Sequence, residues 1–262
     1  MRFYYLTLTL LLAFKLSAQT SDAIELSSEQ ITLIQSQEAI GVQTVLSELG
    51  IQIQDLQQIE KFTSEAVSRL INESSNTKMI SEVTSGITAS LAEIALANSV
   101  EPNYAIEYVS AGAAHGLIKA NFANMPRAIQ ALSKGSILGA IQFSKSNGFD
   151  ILKSSSAAAS GSLAGVIEAS NDLGLDIIRN VKASSSGLVI GTIISAEELK
   201  STIFKTLTAT TEGIAEAAIE ASVKLNIDLI PQISSATIGS GENAVQTATT
   251  LNLSSRNTIE AI

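Results

Sequence analysis

The residues that could do chemistry are few. His115 is the sole histidine, and the chain has no cysteine. A zinc site built from histidines and cysteines of one chain is therefore excluded. A serine hydrolase would need His115 between a serine and a carboxylate. His115 instead lies in the tract Ala113-Ala-His-Gly116, with no Gly-x-Ser-x-Gly motif beside it. It is expected to be a packed or partly exposed helical residue.

Glu212, Glu216 and Glu220 recur every fourth residue, and Lys224 continues the row. Such a row could align carboxylates for metal binding or acid–base work. A solvated helix face with an i,i+4 Glu220–Lys224 ion pair is the expected reading. Gly239-Ser-Gly-Glu242 is glycine-rich, but no strand precedes it and no lysine follows, so it is not a phosphate loop. No catalytic, cofactor-binding or metal-ligating residue is assigned, and no cofactor is expected.

One set of hydroxyls recurs too regularly to pass over: Ser110, Ser133, Ser155, Ser185, Thr211 and Thr237. In a helix such hydroxyls can bond the carbonyl four residues back, which makes their burial inexpensive. They either permit close packing or line a polar interior, and the first reading is preferred.

The elements that must position these groups come from an internal repeat. Gly-x-x-x-Gly pairs stand at Gly112/Gly116, Gly135/Gly139, Gly161/Gly165 and Gly187/Gly191. The register continues as Gly213/Ala217 and Gly239/Asn243. First glycines are 23 residues apart once and then 26 apart four times. Counting each first glycine as position one, position seven is Ile118, Ile141, Ile167, Ile193, Ile219 and Val245. Polar residues before an apolar pair, as in Asp150-Ile-Leu, Asp176-Ile-Ile, Thr202-Ile-Phe and Asp228-Leu-Ile, suit helix N-termini. Pro126 and Pro231 fall beside or within such starts.

A stripe in steps of three or four runs unbroken from each start to its position-seven residue, for instance Leu152, Ser155, Ala159, Leu163 and Ile167. An uninterrupted phase predicts one helix of about 20 residues per repeat, roughly 30 Å long. The competing arrangement has two short helices per repeat, split at Ser154–Ser156 and Ser184–Ser186, as in an α-solenoid. Earlier, Gln54–Asn72 and Met79–Ala97 read as amphipathic helices.

Positions one and five of a repeat lie roughly opposite positions three and seven on a helix. Each helix therefore has a small-residue face and an aliphatic face, as expected of a helix sandwiched between neighbours. Glycine costs about 1 kcal/mol against alanine inside a helix, so paired glycines imply close backbone approach. The fold class is all-α: tandem repeats of about 26 residues, packed as an antiparallel multi-helix bundle or array. The expected division is 1–18 leader, 19–36 polar lead-in, and 37–262 helical repeat domain, with clear repeats over 103–262.

Residues 1–18 carry Arg2, an apolar run from Phe3 to Phe14, and a small residue at Ala18. That is a signal-peptide pattern, with cleavage expected after Ala18 and a secreted or periplasmic destination. The run is too short to span a bilayer. The net charge is −9, and removal of the leader takes away Arg2 and Lys15. An acidic chain is a poor nucleic-acid binder. The bases are unevenly spread: seven against four acids from Lys119 to Lys182, but three against thirteen from Gln19 to Ile118. An electrostatic contact between these regions, within or between molecules, is one consequence. The composition suggests a non-enzymatic structural or protein-interaction role, with a protein partner or self-association. The alternatives are a membrane-active helical bundle using its glycine faces, and a small-ligand binder or enzyme with a hydroxyl-lined interior.

Overall fold

The computed structural model describes residues 24–36, 39–72, 75–198, 203–251 and 253. The leader-like residues 1–18 and the start at Thr202 lie outside the described residues. Within them the chain is all-helical, with ten helices and no strand. Two are short, α1 (Ser28–Gln35) and α2 (Ala39–Glu48). Eight are long: α3 (Leu56–Leu70), α4 (Thr77–Ala97), α5 (Pro102–Lys119), α6 (Met125–Asn147), α7 (Ile151–Asp172), α8 (Ile177–Glu198), α9 (Ile203–Leu225) and α10 (Leu229–Thr250). Each repeat is one helix. The two-helix alternative is wrong, because Ser154, Ser155, Ser184 and Ser185 are buried inside unbroken helices. The polar lead-in ends in α1, whose N-terminus carries a reciprocal Ser27/Gln30 capping box.

Short polar side chains start the helices. Asp150 and Asp228 accept from the amides of Leu152 and Ile230, and Asp176 accepts from that of Arg179. Pro102 opens α5, and Pro126 is the second residue of α6. Five of the long helices end alike. The amides of Val100, Phe149, Leu175, Ile227 and Leu253 bond carbonyls five residues back, at Ala95, Ser144, Ser170, Ser222 and Ala248. This is the Schellman closure, and the residue before the donor is left-handed at Ser99, Gly148, Gly174 and Asn226, with φ 70° at Gly148. The closures after α4, α6, α7 and α9 turn the chain back, and the helices they join run antiparallel.

The most extensive contacts are not between consecutive helices. Each long helix packs chiefly on the helix two places along the chain. The result is two layers, α3-α5-α7-α9 and α4-α6-α8-α10, with consecutive helices meeting across the layers. Glycines set the contact within a layer. A Cβ on Gly112 or Gly116 of α5 would strike the carbonyl oxygens of Glu60 and Ser64 in α3. Gly161 meets Glu107, Gly187 meets Gln130, Gly213 meets Ser156, and Gly239 meets Lys182 in the same way. At Gly165 the added carbon would lie 2.6 Å from the Ala111 oxygen and 2.8 Å from its Cα. Matching residue order in these contacts makes helices within a layer parallel. Backbone cannot move aside like a side chain, so these contacts tolerate no Cβ. Cα–H groups facing carbonyl oxygens add a weak attraction of about 0.5–1 kcal/mol each.

The opposite, aliphatic face fills the interior. Ile118, Ile141, Ile167 and Ile193 are all buried, alongside Ile106, Ile129, Leu163 and Val189. The same position is exposed at the end of the stack, where Ile219 and Val245 lie. At the other end α1 contacts α3 and α2 contacts α4, burying Ile34, Val42 and Val45.

Candidate functional site: two grooved outer faces

The recurring hydroxyls separate into three behaviours. Ser110, Ser155 and Ser185 are fully buried, and their hydroxyls have no hydrogen-bond partner in the chain. The expected bond to the carbonyl four residues back is not made by these serines. Threonines make it: Thr211 bonds the Leu207 carbonyl at 3.1 Å and Thr237 that of Ile233 at 2.9 Å. Branching at Cβ limits threonine to rotamers that suit this bond. Ser133 does neither. Its Oγ lies 2.9 Å from both Ser162 Oγ and Ser184 Oγ, tying α6 to α7 and α8. A second buried chain runs from Ser144 through Ser154 to Asn103 Oδ1, at 2.7 and 2.8 Å. Neither network contains a base, so no hydroxyl in them is activated as a nucleophile.

His115 is partly exposed on the α3-α5-α7-α9 layer, with Nδ1 3.3 Å from Glu60 Oε1. Its Nε2 is buried with no hydrogen-bond partner among the described residues, so no serine engages it in the manner of a triad. Lys224 does not pair with Glu220 as its spacing suggested. It donates to Glu168 Oε1 of the neighbouring α7 at 2.8 Å. The layer packing brings Glu168 closer than the helix's own preceding turn, and the contact raises the Lys224 pKa.

Glu60, Glu168 and Lys224 border a groove of about 440 Å³ that crosses all four helices of the layer. Gly161, Ala164 and Gly165 are among its lining residues and add no side chain larger than a methyl. Tyr104, Tyr108, Glu60, Glu107, Glu168 and Glu220 line it. Burial raises the pKa of Glu107, and the nearby charges of Glu216 and Glu220 push it the same way, against a hydrogen bond from Ser160. Burial likewise raises that of Glu60, against the opposing charge of His115.

The other layer carries the opposite charge. A groove of about 550 Å³ between α4, α6 and α8 is lined by Lys78, Arg127, Gln130 and Lys134, with Glu82 as its acid. A neighbouring groove of about 320 Å³ adds Arg179 and Lys182. Gln130 Nε2 donates to Ser186 Oγ at 2.5 Å and holds α6 to α8 beneath the cations. Lys182 reaches Glu242 of α10 at 2.8 Å. Ser110, Ser133, Ser155 and Ser185 line none of these grooves.

No protein-family model matches the chain, and no characterised protein matches it. Among the described residues, no group of three or more histidines and carboxylates is arranged to hold a metal ion. Nor is any described helix long and apolar enough to cross a membrane. Sequence reasoning missed both grooves. Their residues come from helices two repeats apart. Glu107, Gln130 and Lys182 each stand five residues before a first glycine, and Tyr104, Arg127 and Arg179 eight before, but the residue type changes from unit to unit and no local spacing says which helices will meet.

Proposed function

We propose that this is an exported, non-enzymatic repeat protein that presents its two outer faces to protein partners. The leader-like pattern of residues 1–18 supports export. The observation that carries the interaction role is the placement of polar groups. The serines of the recurring row, Ser110, Ser133, Ser155 and Ser185, are sealed between close-packed helices, while open grooves of opposite charge collect ionisable groups on the two outer faces. A protein partner with basic and apolar side chains suits the groove of Tyr104, Tyr108 and Glu107, where carboxylates flank aromatic rings.

A photo-crosslinker at Tyr108, in cells that export the protein, tests this reading. A discrete adduct that disappears on Glu107→Lys, with the thermal melt retained, is the expected result. The absence of any adduct from Tyr108, and from a second probe at Lys134, would remove the reading. An activity lost on Ser155→Ala or Ser185→Ala would favour the hydroxyl-lined alternative instead.

A further inference from the structure

The two ends of the stack are not alike. α1 and α2 cover one end. Among the described residues the other ends on α9 and α10, and six of the large exposed apolar residues lie there: Phe204, Ile219, Val223, Ile230, Ile238 and Val245. Position seven of the repeat shows the contrast within a single register. It is at most 2% exposed at Ile118, Ile141, Ile167 and Ile193, but 46% at Ile219 and 37% at Val245.

Gly241 sharpens the point. Every other helical glycine from α5 to α10 faces the backbone of a helix in its own layer. A Cβ on Gly241 would meet nothing within 4 Å. Glycine there weakens the helix by about 1 kcal/mol relative to alanine with no contact in return. At 100° per residue, Ile230, Ser234, Ile238, Gly241 and Val245 fall within about 80° of one another. They form one uncharged face along α10. The sole charged side chain of α10, Glu242, is turned toward Lys182.

We propose that this face binds the same face of a second copy of the chain, with α10 packed antiparallel on α10 and the two-fold axis near Ile238 and Gly241. Continuity with the internal packing argues for a helix as the occupant: the exposed register positions are those that helices bury everywhere else in the stack. The α10 face has no charge to meet either grooved face of another copy; on the neighbouring α9, Glu212 stands between Ile219 and Val223. Coverage of the first end by α1 and α2 argues against head-to-tail stacking, which leaves an isologous pair. Side by side, α9 and α10 offer roughly 33 Å by 20 Å, or about 650 Å² per copy, near the ~800 Å² of a standard stable interface.

The test is sedimentation of the full chain from ~1 to ~100 µM, where a dimer is expected in that range of dissociation constants. Ile238→Glu and Ile230→Glu should each weaken it at least ~tenfold without lowering the melt, since both side chains are exposed. The chain has no cysteine, so Ile238→Cys gives a single-site reporter. Oxidation should link two copies through it, while Ile40→Cys, exposed on α2 at the other end, should not link. A monomer throughout the concentration range overturns the proposal. So does a dimer indifferent to both glutamates, or, in a chain carrying both Ile238→Cys and Ile259→Cys, a disulfide that forms within one copy rather than between two.

Discussion

Gly161 lies against the carbonyl oxygen of Glu107, with that residue's carbonyl carbon and Cα only 2.7 and 2.9 Å from where a Cβ would stand. The contact joins two parallel helices with one antiparallel helix between them in sequence. Gly161→Ala should therefore cost about 1–3 kcal/mol, and Gly161→Leu more, because the obstruction is backbone. Gly241→Ala, facing open space, should instead stabilise the dilute monomer by about 0.5–1 kcal/mol. Urea unfolding of the three variants checks both signs. A Gly161→Leu midpoint within error of the parent would sink the close-packing account.

Ser133 and Ser155 occupy the same row but predict opposite outcomes. Ser133→Ala leaves Ser162 and Ser184 without their shared partner and should destabilise by about 1–2 kcal/mol. Ser155→Ala and Ser185→Ala remove hydroxyls that have no partner to lose. They should be neutral or stabilising by up to about 1 kcal/mol. Equilibrium unfolding of the three single variants separates the roles.

Glu107 gives a pH-dependent prediction. Its pKa is raised in the folded state from 4.5, first by burial. Between 4.5 and the raised value the folded chain holds more protons at this group than the unfolded chain. The stability it contributes is thus complete below 4.5 and is lost as pH rises through the folded pKa. Glu107→Gln should gain relative stability over the parent on going from pH 4 to pH 7. Paired melts across that range, showing a constant or reversed difference, would contradict the assignment.

Lys224 and Glu168 form a short bridge, yet the lysine side chain is 65% exposed. A double-mutant cycle with Lys224→Ala and Glu168→Ala should give a coupling below about 1 kcal/mol that shrinks in high salt. A larger, salt-independent value would mean that the groove is drier than its openings imply.

Much of the architecture was legible in the residues. The unbroken stripe from Leu152 to Ile167 required one helix, and α7 is one helix. The Asp150 and Asp228 starts were read correctly, because capping depends only on neighbours in the chain. The row Glu212-Glu216-Glu220-Lys224 was misread in part: the lysine's partner is Glu168, brought in by the layer rather than by helical spacing. The serine back-bonds were expected and not found at Ser110, Ser155 and Ser185, since a rotamer choice depends on what packs above it.

The sequence by itself determined the repeat length, the helix in each unit, and two contrasting faces on it. Those follow from local physics: helical phase, capping and the conformational cost of glycine. Only the tertiary structure decided that Gly161 meets Glu107 and not a residue of the adjacent helix. Successive units carry the same pattern, so the pattern cannot name its own partner. The choice falls to geometry: consecutive helices reverse at every Schellman turn, and alternate helices then lie parallel at a distance that only glycine permits. The same geometry decided that Ile193 is buried while Ile219 and Val245, identical in register, face outward at the end of the stack.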